Sequence, residues 1–369
     1  MTKKNSETSQ PGRLSRRSVL TAGAAATATA ALAAPALSQG RRQWRMVTAW
    51  PKNFPGLGTG AQRITDSITE MSEGALAIKL YAAGELVPAF EIFDAVRQGT
   101  AEMGHAAAAY WTGKSKSFAF FAVVPGGLVA QEQNAWLAYG GGQALWDEIY
   151  GEYGLKAWPA GNTGTQMGGW FNKEINSLSD IEGLRMRIPG LAGEVINRAG
   201  GVAISMPGGE IMSSMQSGVI DAVEFAGPWT DLAFGFHKAA KYYYGPGFHE
   251  PGATLELAIN REQWDDLPPH LKTIVRVAAE AENQRMLSEF TAGNAASLES
   301  LARDHGIVPR PMPDDVIRSL RAISAEVVAE TADDGELPRR IYDNWSQFKA
   351  QVTALAPYAE QGALNQRDL

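Results

Sequence analysis

Short apolar strands alternate with helical segments through about two-thirds of the chain, and this order restricts the fold more than any other feature. Apolar runs at 43–50 and 76–81 predict strands, and residues 59–72 between them place Ile64 and Ile68 on one helical face. The alternation recurs in the middle of the chain, after which the pattern becomes helical. A strand–helix–strand order predicts an α/β protein, here with a long helical C-terminal part.

A weak internal repeat predicts that the chain has two lobes. Residues 95–102 resemble residues 214–221, and each segment is a helix end, a glycine and a short strand. We expect these units to aim their strand ends at a shared cleft, with Tyr110 opposite Trp229. Further predicted strands are 102–108, 155–160, 166–171, 184–188 and 219–225, and further predicted helices are 88–98, 192–199, 209–217, 266 to beyond 287, 313–330 and 338–354.

An export signal is predicted at residues 1–38. The paired Arg16 and Arg17 precede an uncharged, apolar stretch that small residues close, which favours the twin-arginine route to the periplasm. We expect cleavage near Ala36 or Ser38. An uncleaved membrane anchor and a disordered basic tail are the alternatives, and the stretch is short and weakly apolar for a spanning helix.

Charge and missing residue types exclude several classes of protein. The formal net charge is −7, and residues 1–38 carry a net +4, so the rest of the chain carries −11. This acidic body argues against a nucleic-acid partner. The absence of cysteine excludes disulfides, thiolate metal sites and cysteine nucleophiles. Five histidines without a His-x-x-x-His pair argue against a zinc enzyme.

Arg187 is the candidate anion-binding residue. It lies in the apolar segment 184–188, and a guanidinium among apolar neighbours needs an anion. Its planar fork holds a carboxylate through two parallel hydrogen bonds. A structural ion pair with Glu182 or Glu194, or a plain surface charge, is the alternative. Arg185 shares the same face if the segment is a strand.

Three oxygen-bearing side chains are candidates for a cation site. Glu224 ends a predicted strand, Glu250 lies in a loop, and Gln166 follows a Gly-Asn-Thr-Gly turn. Carboxylate and amide oxygens are hard ligands that suit Na⁺ or Ca²⁺ rather than zinc. A general acid–base pair and structural hydrogen bonding are the other interpretations.

Several aromatic residues are candidates for the wall of a pocket, although aromatic side chains more often belong to the core. These residues are Tyr110, Trp111, Phe225, Trp229 and the run Tyr242–Tyr244.

Three segments resemble the solute-binding proteins of tripartite ATP-independent periplasmic (TRAP) transporters. They are residues 161–171, 180–188 and 216–225. The similarity spans most of the chain after the leader. It is closest to the subgroup that binds 2-oxo acids such as pyruvate, or lactate, with a metal ion.

The resemblance implies a two-lobe periplasmic binding protein fold, with a ligand cleft between the lobes. Lobe I is expected at 40–163 and lobe II at 164–251, while 252–369 returns to lobe I and supplies the C-terminal helices. The subgroup also includes dimers that exchange a C-terminal helix, so a helix-swapped homodimer is a further expectation.

The resemblance also implies roles for individual residues. Arg187 is expected to bind the solute carboxylate, and Tyr110 to contact the solute from lobe I. The cation is expected to bridge to the solute oxygens, which assigns Gln166, Glu224 and Phe225 to the solute site as well. Its implied ligands are the side chains of Gln166, Glu224 and Glu250 and the carbonyl of Phe225.

The expected function is therefore the extracytoplasmic solute-binding component of a TRAP transporter, which passes a small carboxylate to the membrane permease and is not an enzyme. An exported hydrolase using Glu224 and Glu250, or a sensor subunit that reports the same solute, is the alternative. A 2-oxo acid is the first candidate solute, and lactate is the second. A C4-dicarboxylate or a larger sugar acid is the third.

Overall fold

The computed structural model describes residues 41–368, and the predicted export signal at 1–38 lies outside them. Within the described residues, ten strands form two five-stranded sheets. The strands are β1 (Arg42–Thr48), β2 (Leu76–Tyr81), β3 (Met103–Ala106), β4 (Leu155–Asn162), β5 (Gly169–Phe171), β6 (Arg185–Arg187), β7 (Val202–Ile204), β8 (Ala222–Val223), β9 (Tyr242–Tyr244) and β10 (Thr254–Asn260).

Helices make up most of the remaining described chain, and none of them has the length and apolar character needed to cross a lipid bilayer. They are α1 (Leu57–Met71), α2 (Ile92–Arg97), α3 (Ala130–Tyr139), α4 (Gly142–Gly151), α5 (Gly190–Arg198), α6 (Gly208–Gln216), α7 (Pro228–Phe234), α8 (Arg261–Asp265), α9 (Pro269–His305), α10 (Asp314–Glu330), α11 (Glu336–Leu355) and α12 (Glu360–Asn365).

The first sheet has the strand order β2-β1-β3-β10-β4. Strand β1 runs parallel to β3, whereas β10 runs antiparallel to both β3 and β4. Helix α1 buries Ile64 and Ile68, the pair that the sequence placed on one face. The predicted α/β class and the long helical C-terminal part are confirmed.

The second sheet has the order β7-β6-β8-β5-β9 and repeats the design of the first. Its central strand β8 has a parallel neighbour, β6, and an antiparallel neighbour, β5. In each sheet a helix, α2 or α6, precedes the central strand. A glycine with positive φ follows each helix, Gly99 at 76° and Gly218 at 72°. The weak sequence repeat therefore corresponds to equivalent units of the two sheets.

Two segments without helix or strand, 163–168 and 245–253, carry the chain from the first sheet to the second and back. They lie side by side and hydrogen-bond to one another. The Gln166 N–H donates to the Glu250 carbonyl, and the Gly247 N–H donates to the Gln166 carbonyl, both at 2.9 Å. These paired segments, here called the crossing segments, connect the two sheets.

Helix α9 is a third connection. Its 37 residues extend about 55 Å at 1.5 Å per residue. In its first half, Glu282 accepts a 2.5 Å hydrogen bond from Arg63 of α1. Further along, Asn294 accepts a 3.1 Å hydrogen bond from the backbone N–H of Trp229 in α7. One continuous helix therefore packs against the layers of both sheets.

Two predicted strands are shorter than the sequence pattern indicated. The strand predicted at 166–171 begins only at Gly169, because the backbone of Gln166 pairs with the other crossing segment instead of a sheet. The strand predicted at 219–225 is confined to β8, so Glu224 directly follows it.

Candidate functional site

All six site residues named from the sequence line one cavity between the two sheets, with a volume of about 40 Å³. The cavity also touches Trp50, Leu57, Thr163 and Leu255. Because one water needs roughly 10–15 Å³ by this measure, the space admits only a few water-sized groups. The occupant is therefore small. The six residues are Tyr110, Gln166, Arg187, Glu224, Phe225 and Glu250.

Arg187 ends β6, and its guanidinium is 2% exposed. Its Nη1 donates to the Glu224 carboxylate at 2.6 Å and to the Glu224 carbonyl at 2.8 Å, and its Nε donates to the Met206 carbonyl at 3.3 Å. The remaining nitrogen, Nη2, is buried and makes no hydrogen bond to the part of the chain that the structure describes. A buried donor without an acceptor is costly, so Nη2 is the position where an anion would bind.

This geometry corrects two expectations about Arg187. Its acidic partner is Glu224 rather than Glu182 or Glu194. The guanidinium also leaves one free nitrogen instead of a free two-nitrogen fork. Arg185, which is on the same strand as Arg187, pairs with Asp221 at 2.7 Å and does not line the cavity.

Gln166 presents an unpartnered oxygen. Its Nε2 donates to the Thr163 hydroxyl at 2.9 Å, which fixes the direction of the amide. The opposite atom, Oε1, is buried and has no hydrogen-bond partner among residues 41–368. An amide oxygen in this position is an acceptor that a cation can satisfy.

Glu250 is buried in the same cavity wall, and no donor of the described chain makes a hydrogen bond to its carboxylate. Burial raises the pKa of this carboxyl well above its ordinary value. The charge of Glu224 raises that pKa further, while Arg187 opposes the shift. A carboxylate in this environment lacks a counter-charge, which a bound cation would supply.

Tyr110 enters the cavity from the first sheet, in the short 3-10 helix Ala108–Trp111. Burial raises its pKa to about 12, so it remains a phenol donor. Its neighbour Trp111 does not line the cavity, because its Nε1 donates to the buried Glu256 at 2.7 Å.

The other predicted wall aromatics also lie elsewhere. Trp229 packs against Phe290 of α9, with ring centroids 5.4 Å apart, so it does not face Tyr110 across the cavity. The run Tyr242–Tyr244 forms β9, where Tyr243 stacks on Trp170 at 4.0 Å. Of the predicted aromatics, Tyr110 and Phe225 remain in the wall.

His249 is a site residue that the sequence analysis missed. Its Nε2 lies 3.1 Å from the Glu224 carboxylate, and its ring is fully buried. A histidine in a loop leaves no periodic signal, and its partner is 25 positions away in the chain.

The donor set fits a hard cation. Gln166, Glu224 and Glu250 offer one amide and two carboxylates, all of them oxygen ligands. No cluster of three or more histidine, cysteine or acidic side chains suited to a metal occurs among residues 41–368, so the amide is needed to complete this set. Phe225 also lines the cavity, and its ring lies 5.3 Å from the Arg187 guanidinium.

The DctP family, described as bacterial extracellular solute-binding protein, family 7, matches residues 46–334. A monocarboxylate 2-oxoacid-binding periplasmic protein of Nostoc sp. is 40% identical over 92% of this chain and 95% of its own length.

Two similar solved structures are TRAP periplasmic solute-binding proteins. One, from Pseudoalteromonas atlantica, contains sodium and pyruvate and is 39% identical, with a TM-score of 0.85. The other, from Colwellia psychrerythraea, contains calcium and pyruvate and is 38% identical, also with a TM-score of 0.85. Each match covers 88% of this chain and 99% of the other. The predicted two-lobe fold is confirmed.

Proposed function

We propose that this chain, which belongs to the DctP family of bacterial extracellular solute-binding proteins, family 7, captures a small monocarboxylate together with a Na⁺ or Ca²⁺ ion. It then delivers the solute to the permease subunits of a TRAP transporter in the membrane. The proposal extends to this chain what the Pseudoalteromonas and Colwellia proteins contain, pyruvate with sodium or calcium.

One observation carries the proposal. The cavity buries an unpartnered donor, Arg187 Nη2, together with an unpartnered acceptor, Gln166 Oε1. An anion satisfies the donor and a cation satisfies the acceptor. A solute carboxylate at Arg187 and a metal ion at Gln166, Glu224 and Glu250, with the Phe225 carbonyl as a fourth ligand, would satisfy both.

Charge explains why the solute needs the cation. With Glu224 and Glu250 ionised, Arg187 leaves the cavity with a net charge of about −1, and a bound monocarboxylate makes it about −2. A calcium ion cancels that charge, and a sodium ion halves it. When bound, the cation would supply positive charge to the solute oxygens, while Tyr110 donates from the first lobe.

The charge of the cavity lining and the cavity volume rank the candidate solutes. Arg187 is the one basic side chain among the described residues that line it, so a second carboxylate would lack a partner. The volume of about 40 Å³ also opposes a sugar acid. A short 2-oxo acid such as pyruvate is the first candidate, because its keto oxygen gives the cation a second contact. Lactate is the second.

We further propose binding without turnover, export by the twin-arginine route with cleavage near Ala36 or Ser38, and a helix-swapped homodimer. Residues 40–163 and 164–251 would move as lobes I and II. Residues 252–369 would return to lobe I and carry the C-terminal helices.

Thermal melting of the purified mature protein tests the function. A ligand that binds only the folded state raises the melting temperature. We expect pyruvate to raise it with Ca²⁺ or Na⁺ present, lactate to raise it less, and succinate or glucuronate to leave it unchanged. A rise with a C4-dicarboxylate but none with 2-oxo acids would refute the solute assignment. If NMR showed that the protein consumes bound pyruvate, binding without turnover would be refuted.

A further inference from the structure

We propose that His249 is a positioning residue, whose ring holds the Glu224 carboxylate in the orientation that the cation requires. The inference rests on the proposed function, because it concerns the same cation site.

The contact between the two side chains is direct and fully buried. His249 Nε2 lies 3.1 Å from Glu224 Oε2, and the ring has no exposed surface. A carboxylate oxygen only accepts hydrogen bonds, so the proton is assigned to Nε2. The other ring nitrogen, Nδ1, has no partner among the described residues. This histidine therefore directs its one hydrogen bond at Glu224.

The backbone holds the ring in place. A Cβ atom at Gly247 would lie 2.7 Å from His249 Cε1 and 2.9 Å from Nδ1, so the ring packs directly on that glycine. Phe248 contacts it with its ring centroid at 5.3 Å. The orientation of His249 is thus fixed by the crossing segment 245–253 that carries it.

Glu224 is consequently held from two sides. Arg187 donates to Oε1 at 2.6 Å, and His249 donates to Oε2. A carboxylate offers about four lone-pair positions, and these two bonds use one on each oxygen. The remaining lone-pair positions stay available to a cation. The carboxylate group of Glu224 cannot rotate without breaking a buried hydrogen bond, so the direction of these positions is fixed. Partners that orient a ligand in this way typically change metal affinity by about 10- to 100-fold.

The test measures the affinity for Ca²⁺ alone, by calorimetric titration of chelator-treated protein without solute. Glutamine at position 249 carries an amide N–H about as far from the backbone as Nε2, whereas asparagine is too short to reach Glu224. We expect His249→Asn to lose about 10- to 100-fold in Ca²⁺ affinity and His249→Gln to recover most of that loss. If His249→Asn does not fold, His249→Leu replaces it in the comparison.

The control is His237→Asn, because neither ring nitrogen of His237 has a hydrogen-bond partner within the described part of the chain, and the residue does not line the cavity. It should retain wild-type Ca²⁺ affinity. Melting temperatures separate folding from binding, since a purely structural role would lower them without changing the affinity. Wild-type affinity in His249→Asn, or an equal loss in His249→Asn and His249→Gln, would overturn the proposal. A wild-type protein that binds neither Ca²⁺ nor Na⁺ would instead remove the cation from the proposed function, and His249 positioning with it.

Discussion

The backbone N–H of Gln166 donates to the carbonyl of Glu250 at 2.9 Å, so two proposed cation ligands are neighbours on the paired crossing segments. Their side chains line the cavity, while their main chains form the connection between the sheets. A cation held by both side chains would therefore lie beside the crossing segments, which we expect to act as the hinge between the lobes. Cation binding and lobe movement are expected to be coupled for this reason.

Replacement of Arg187 should abolish solute binding. Arg187→Ala removes the free Nη2 donor and also frees Glu224, and Arg187→Lys supplies an ammonium that cannot reproduce the guanidinium contacts. A charge-assisted hydrogen bond contributes about 1.5–3 kcal/mol, so we expect at least a tenfold loss for Arg187→Lys by calorimetry. Arg185→Lys, in the half-exposed pair with Asp221, is the matched control and should bind normally. Wild-type affinity in Arg187→Lys would disprove the role.

Removal of the cation should remove solute binding as well. We expect chelator-treated protein in sodium-free buffer to bind pyruvate at least tenfold more weakly, since the anion would face Glu224 and Glu250 without a counter-charge. Glu250→Gln should weaken Ca²⁺ more than Na⁺, because a doubly charged ion loses more attraction when a carboxylate becomes neutral. Glu256→Gln, at a buried glutamate outside the cavity, is the control. Full pyruvate affinity in metal-free buffer would contradict the cation site.

Solute should close the two lobes. A solute that contacts Arg187 on the second sheet and Tyr110 on the first would bring these walls together, with the crossing segments as the hinge. Small-angle scattering should show a smaller radius of gyration when pyruvate and Ca²⁺ are added. Arg187→Ala under the same conditions should show no change. An unchanged wild-type profile at saturating pyruvate would count against closure.

Stability should fall as the pH rises toward neutrality. Burial raises the pKa of Glu256 to about 7, and hydrogen bonds from Tyr150 and Trp111 reduce the effect only in part. The folded state then holds a proton that the unfolded chain releases near pH 4.5, so stability decreases between about pH 4.5 and 7. Glu256→Gln should flatten this part of the melting-temperature curve. Burial also raises the pKa of Asp231 to about 7, so Asp231→Asn should act in the same direction. Wild-type and Glu256→Gln curves of equal slope would refute the assignment.

The sequence could identify Arg187 and Glu224 as candidate site residues because each is a charged residue in or at the end of an apolar predicted strand. A charge at such a position interrupts the apolar pattern. It could not identify their pairing. The two residues are 37 positions apart, and they meet only because β6 pairs with β8. Glu182 and Glu194 were nearer in the chain, but they do not share that register.

Gln166, Glu250 and His249 lie in the crossing segments, where no periodicity marks a residue. Their oxygen-bearing side chains made Gln166 and Glu250 candidates for a cation site, and the family resemblance then assigned them to it. Nothing pointed to His249, because its role depends on the packing of its ring against Gly247. The fold was easier to predict, since α/β alternation is repeated along the chain while each site contact occurs once.

The length and packing of helix α9 limit how the two lobes could move relative to each other. A rod of about 55 Å that packs against both layers resists bending, so it permits only those rotations of the lobes that leave its axis nearly straight. The crossing segments by themselves would allow twisting and sliding of the lobes in several directions. We expect the helix to remove most of this freedom and to restrict opening of the lobes to nearly a single rotation. A protein restricted to one opening rotation would present one defined open form, which the permease of the proposed function could distinguish from the closed form.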